Sequence, residues 1–320
     1  MNKYCPRAFT VILSLFFIFT QCPARAQEKI TGNDVRPPAV AGKFYPDSPA
    51  QLNRTITALL DSVPDIKPAG KILAALAPHA GYTFSGSVAA YTHKLLSTVK
   101  FDTLIIIGHD TYQNAVAFTC LVDYFQTPLG KVPVDREMIA KLHEFNREIK
   151  PDRSIHAHDH TVEMHLPFLQ VLGRQCKIVP ILFGNPTAEN CRILADAILA
   201  AAGKKTVFVL ASTDMSHYPP YESACKLDNS TLDVLRALDV NRLFAHLVKQ
   251  GRQHSVPNLR TAMCASGGVG TAILWAKANG ANHAQVLRYA NSGDVPAGDK
   301  YGVVGYCSVL IVKTEGNASK

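Results

Sequence analysis

Past its first two dozen residues, this sequence lacks several kinds of segment that would place it quickly. It has no further apolar run long enough to cross a bilayer, which excludes a membrane-spanning helix in the body of the chain. It has no block of Lys and Arg and no stripe of interleaved aromatics. The net charge of +8, part of it carried by the start of the chain, therefore does not make the footprint of a nucleic-acid binder. None of the eight cysteines forms a C-x-x-C pair, and their density is far below that of a disulfide scaffold, so core packing is their default role. A His-Glu-x-x-His helix is missing, which argues against a thermolysin-like zinc site. No internal repeat or low-complexity tract appears.

What is present begins with an export signal. Lys3 and Arg7 precede an apolar stretch from Ala8 to Thr20, and Ala24-Arg25-Ala26 is a small-residue cleavage pattern. Cleavage after Ala26 is expected, giving an exported protein, periplasmic or extracellular; the alternative is a lipid anchor on Cys22. The expected organisation is a signal peptide over 1–26, a disordered lead-in over 27–35, one domain over 36–314 and a short tail over 315–320. Such a domain is large enough for a substantial core.

Within it, short apolar runs alternate with amphipathic stretches, the pattern of a single α/β domain with a mostly parallel or mixed central sheet flanked by helices. Strands are expected at 72–77, 103–108, 115–122, 177–182, 206–211, 284–290 and 303–312. Several are apolar throughout, as in strands buried on both faces. Helices are expected at 85–96, 135–145, 188–201, 229–238, 240–250 and 261–277. The polar stretch 146–159 reads as an excursion within the one domain.

Three polar segments follow expected strands: Pro78 to Tyr82, His109 to Thr111, and Ser212 to Tyr218. In open α/β sheets, ligands bind beyond the carboxyl ends of the strands, so imidazoles at three strand ends can converge. His79, with small Ala80 and Gly81 after it, has room for a ligand; otherwise it bonds loop carbonyls. Asp214 and His217, three apart, suit a carboxylate that orients an imidazole or coordinates directly, or else an Asp that caps the next helix. Cys264 precedes Ala265-Ser266-Gly267-Gly268 at an expected helix start, where backbone N–H groups favour a thiolate, although a packing cysteine is the plain alternative. The segment His156 to His165 (HAHDHTVEMH) is expected to place His160, Glu163 and His165 behind or over the pocket, with His156 and His158 facing solvent.

Five segments together resemble the Memo family: Arg36 to Pro46 (RPPAVAGKFYP), Ala77 to Tyr82 (APHAGY), Glu163 to Pro167 (EMHLP), Ser212 to Tyr218 (STDMSHY) and Ser292 to Val295 (SGDV). The resemblance runs from about Arg36 to Val312. The family is also known as protein B of the AmmeMemoRadiSam system, whose gene clusters encode a radical-SAM protein, a possible functional link. Memo proteins are similar to the extradiol class III dioxygenases, whose non-haem iron is held by two His and a Glu. The resemblance implies His79 and His109 as imidazole ligands, Cys264 in place of the Glu, and His217 as acid/base beside Asp214. A thiolate in that place moves the site toward copper or redox-active iron, so ring cleavage does not follow from the fold. Relatives carry two residues between the Gly and the His at the second ligand; here Gly108 adjoins His109, leaving His109 or Asp110 as that ligand.

Three functions compete. The leading expectation is a metal-dependent redox enzyme or dioxygenase-like oxidoreductase that uses iron or copper on a small-molecule substrate. The alternative is a non-catalytic metal- or peptide-binding module in a vestigial cleft. A third makes Cys264 a nucleophile activated by His217 and Asp214.

Overall fold

The computed structural model describes residues 34–252 and 256–315, together with Met1. The expected signal peptide, the Cys22 site and most of the lead-in and tail lie outside the described residues.

The chain opens with β1 (Val35–Arg36) and α1 (Pro49–Asp61), followed by β2 (Lys71–Ala77), α2 (Tyr82–Leu96), β3 (Thr103–Asp110) and β4 (Ala117–Thr119). A hairpin of β5 (Tyr124–Thr127) and β6 (Gly130–Pro133) leads to α3 (Arg136–Phe145), β7 (Ile149–Pro151), α4 (Arg153–Ala157) and α5 (Leu166–Val171). Then come β8 (Lys177–Phe183), α6 (Ala188–Ala202), β9 (Val207–Ser212), α7 (Tyr221–Arg236), α8 (Val240–Gly251), α9 (Ser266–Ala278), β10 (His283–Asn291) and β11 (Gly305–Lys313).

Eight strands form a mixed sheet in the order β10-β11-β2-β9-β3-β8-β4-β7, and β1, β5 and β6 form a small second sheet. The centre, β2-β9-β3-β8, is parallel throughout. β11 and β10 extend one side in antiparallel fashion, and β4 joins the other side antiparallel to β8. The buried runs Leu104–Ile107 and Ile178–Phe183 lie at the middle of the core, where helices cover both faces and alternation has no purpose. This is the expected α/β architecture, and all seven expected strands are found.

Departures from the sequence reading have local causes. β5, β6 and β7 are three or four residues long and half polar, too short to show a period. α1 is capped by the Ser48 side chain and buries only Leu52, Ile56 and Leu60, a narrow stripe. α7 starts at Tyr221, eight residues before the expected 229, because its first turns are polar. α9 starts at Ser266 rather than Thr261, so Cys264 stands in the loop before the helix. β3 runs through His109 and Asp110, which are its last residues rather than part of a following loop.

Candidate functional site

β2, β9 and β3 are adjacent and parallel, so their carboxyl ends open at one edge of the sheet. Ala77 of β2 pairs with Ser212 of β9, and this register brings the two following loops together. The His79 backbone N–H donates to Asp214 Oδ1 at 2.9 Å, and the second oxygen of Asp214 lies 3.9 Å from His79 Nε2. Asp214 therefore does not cap a helix; it ties one strand end to the other.

Cys264 is clamped into the same corner by its backbone. Its N–H donates to the Asp214 carbonyl at 3.3 Å, and its carbonyl accepts the Asp110 N–H at 3.3 Å. The thiol then lies 3.3 Å from His79 Nε2 and receives the Asp214 N–H at 3.2 Å. Burial, aided by the nearby Asp214 charge, pushes the thiol pKa well above its ordinary value. A thiol that is partly buried, held in its protonated form and facing His79 rather than His217 opposes the metal-free nucleophile. Burial lowers His79 to about 4, leaving the ring uncharged at neutral pH, and raises Asp214 only to about 6, so its carboxylate is still mostly ionised there.

The β3 end is arranged differently. His109 is partly exposed, with Nδ1 3.4 Å from Asp159 Oδ1 but not aligned as a hydrogen bond. The Asp159 carboxylate holds its pKa above the ordinary imidazole value despite burial. Asp110 points away from the cleft into the start of α9, accepting the Ser266 hydroxyl at 2.8 Å and the Gly267 N–H at 3.1 Å. That is the capping arrangement of a helix N-terminus. The short Gly108-His109 connection needs its glycine. A Cβ there would meet Thr161 Oγ1 at 2.0 Å, so the strand end can pass this close to the 156–165 segment only without a side chain.

That segment forms the wall of the site. His160 stands edge-on to His79 with ring centroids 5.4 Å apart, and burial lowers its pKa to about 4. His165 lies deeper, bonded through Nε2 to Ser212 Oγ at 2.8 Å. His158 is exposed as expected, but His156 is fully buried and bonds the Phe118 carbonyl through Nε2 at 3.1 Å. The expectation that His156 faces solvent is corrected; its partner lies 38 residues away and leaves no local signal. Glu163 does not close over the pocket either. It accepts the Ala39 N–H at 2.7 Å and the Val40 N–H at 3.1 Å, and pairs with Tyr45 and the buried Arg36. Arg36 also reaches the carbonyls of His156 and Asp159. The RPPAVAGKFYP motif is thus the brace of the wall.

His217 closes the far side, its backbone N–H held by the Thr261 carbonyl at 2.9 Å. Its Nε2 is buried without a hydrogen-bond partner, as is His109 Nδ1. Beside it the surface opens into a hollow of about 520 Å³ lined by Tyr218, Arg260 and Tyr301 among others.

The corner thus joins an imidazole and a thiol, with a second imidazole at the end of the next strand. A family model described as "Memo-like protein" matches residues 36–310. The chain belongs to the Memo family. A MEMO1 family protein of Methanopyrus kandleri is 35% identical over 288 residues, covering 86% of this chain and 98% of the relative. One from Sulfolobus acidocaldarius is 37% identical over 290 residues, with the same coverage. One from Archaeoglobus fulgidus is 34% identical over 281 residues, covering 86% and 99%. The mixed sheet flanked by helices is the Memo fold, related to that of the extradiol dioxygenases. Among the described residues of this Memo protein, no helix is long and apolar enough to cross a membrane. The six described cysteines are all unpaired, and four of them are buried in the packing role expected of them.

Proposed function

We propose that this Memo protein is exported and holds iron or copper through His79, Cys264 and His109 for redox chemistry on a small molecule. The observation that carries the reading is the 3.3 Å approach of His79 Nε2 and Cys264 Sγ in a buried corner. Two donors sharing one tetrahedral ion at the usual bond lengths of about 2.0 and 2.3 Å stand about 3.5 Å apart. The buried, unpartnered Nε2 of His217 supports it further, since such atoms are rare unless something meets them.

One soft thiolate with two imidazoles suits copper or redox-active iron better than a hard cation. When bound, such a metal supplies one-electron transfer and a place for oxygen or substrate. This chain's own residues would do the rest. The Asp214 N–H directed at Cys264 Sγ stabilises the sulfur once its proton has left. His217, neutral because burial lowers its pKa, offers a free nitrogen to take a substrate proton. Export is supported by the charged start, apolar run and Ala24-Arg25-Ala26 pattern. Family membership makes a radical-SAM protein a candidate functional partner.

The alternative is a non-catalytic metal- or peptide-binding module, and its peptide-binding form has its own support: among the described residues, no three His, Cys, Asp or Glu groups are already gathered in metal-binding geometry. Elemental analysis of protein purified without chelator, beside His79→Ala and Cys264→Ser, tests the leading reading. Near-stoichiometric iron or copper, lost in both variants, is expected. Absence of metal, or equal metal in His79→Ala, rejects it, and bound metal without oxygen consumption, peroxide or reductase activity favours the module.

A further inference from the structure

Behind His79 lies a chain of polar groups that the proposed ligand set does not use. His79 Nδ1 is 2.8 Å from Ser212 Oγ, and the same oxygen is 2.8 Å from His165 Nε2. His165 Nδ1 is in turn 3.0 Å from His93 Nε2. Ser212 Oγ also lies 2.7 Å from the Thr161 carbonyl. All four residues are buried.

We infer that Ser212, His165 and His93 are positioning residues that set the tautomer of His79, keeping its Nδ1 protonated and its Nε2 bare toward Cys264. A carbonyl only accepts, so the single Ser212 hydroxyl proton goes to Thr161. Otherwise two oxygens with facing lone pairs would sit 2.7 Å apart. With that proton committed, Ser212 Oγ can only accept, and both imidazole nitrogens against it must carry hydrogen. His165 is thereby Nε2–H with a bare Nδ1, which requires His93 to donate from Nε2. The His93 Nδ1 left over is a lone pair, and among the relay's imidazole nitrogens it alone has no partner. Each end of the relay therefore agrees with the other: the Thr161 carbonyl fixes it from one side and the empty His93 Nδ1 from the other. Protonating any ring would add a hydrogen without removing those facing Ser212, so the orientation does not depend on titration. His93, stacked on Phe168 at 4.5 Å with planes 5° apart, holds the far ring in place.

For ligand binding the consequence rests on the metal-site reading above: Nε2 is presented as a ready donor and Nδ1–H is anchored, the outer-sphere arrangement that fixes a coordinating histidine. The tautomers themselves do not rest on it. Long-range nitrogen–proton NMR on metal-free protein with labelled histidine reads them directly. The expected pattern is His79 protonated at Nδ1, with His165 and His93 protonated at Nε2. Ser212→Ala should mix the His79 tautomers, and Ser212→Thr, which keeps the hydroxyl, should restore the pattern. His79 protonated at Nε2 in the wild type, or unchanged in Ser212→Ala, overturns the inference; the wild-type spectrum alone decides if the variant fails to fold. In titrations with copper(I) or iron(II) singly, Ser212→Ala is expected to weaken affinity about 10- to 100-fold, and Ser212→Thr to restore it. Unchanged affinity in Ser212→Ala would leave the relay without a role in binding. If the wild type binds neither ion while the tautomers are as stated, the metal reading fails and the relay stands.

Discussion

The two imidazoles assigned to one site are held in opposite ways. His79 is buried, its backbone N–H is tied to Asp214, and both ring nitrogens are in contact, one with Ser212 and one with Cys264. His109 is partly exposed, its ring is drawn toward Asp159, and the carboxylate next to it in sequence is taken up by α9. Burial leaves the first uncharged at neutral pH, whereas a carboxylate favours the charged form of the second. One half of the site is built in advance, and the other has partners it must exchange before it can bind. A site of this kind is specific through its rigid half and adjustable through its loose one.

The largest effect on this comparison is expected where both halves share a support. Glu163→Ala leaves Arg36 as an unpaired buried cation and frees the segment that carries Asp159, Thr161 and His165. It should cost about 3–5 kcal/mol in urea unfolding and abolish metal content. A loss below about 1 kcal/mol would mean the brace is dispensable. Asp110→Ala separates the halves. It removes the cap of α9 and should cost about 1–2 kcal/mol, while metal content stays near wild type, since the ligand proposed above is His109. Folded protein without metal would instead make Asp110 the second ligand. The smallest effect lies at the opposite end of β3. There burial pushes the Asp135 carboxyl up, but Thr103 and Lys205 outweigh it and hold the pKa below its ordinary value. A depressed carboxylate pKa contributes stability above the unfolded value of about 3.9 and loses it as pH falls through the folded one. Lys205→Met should therefore cost about 1 kcal/mol at neutral pH, with the deficit shrinking in unfolding curves below about pH 4. A deficit independent of pH would sink this account.

How much of this was legible in the sequence follows the same division. The strand ends that bear His79 and Asp214 could be read because β2 and β9 are apolar runs with an abrupt polar stop, but that the two strands are neighbours is set by the sheet order, which the sequence does not carry. The fold class was equally plain from alternation of such runs with helices. What could not be read depends on partners remote in the chain. Asp110 belongs to α9, 156 residues later, so nothing near it signals a cap. His156 looks like a solvent-facing member of a polar segment, and Glu163 like a residue of the pocket, until Phe118 and Arg36 are placed against them. Ser212 and His93 carried no signal, because a serine ending a strand and a histidine within a helix are unremarkable until His165 joins them.

The brace also orders events during synthesis. Arg36 leaves the ribosome 127 residues before Glu163, and until that carboxylate and the Asp159 carbonyl arrive its guanidinium has nowhere dry to go. The opening segment of the domain must therefore stay in water while those 127 residues are made, and the wall of the site is sealed by a residue of the first strand meeting one from the middle of the chain.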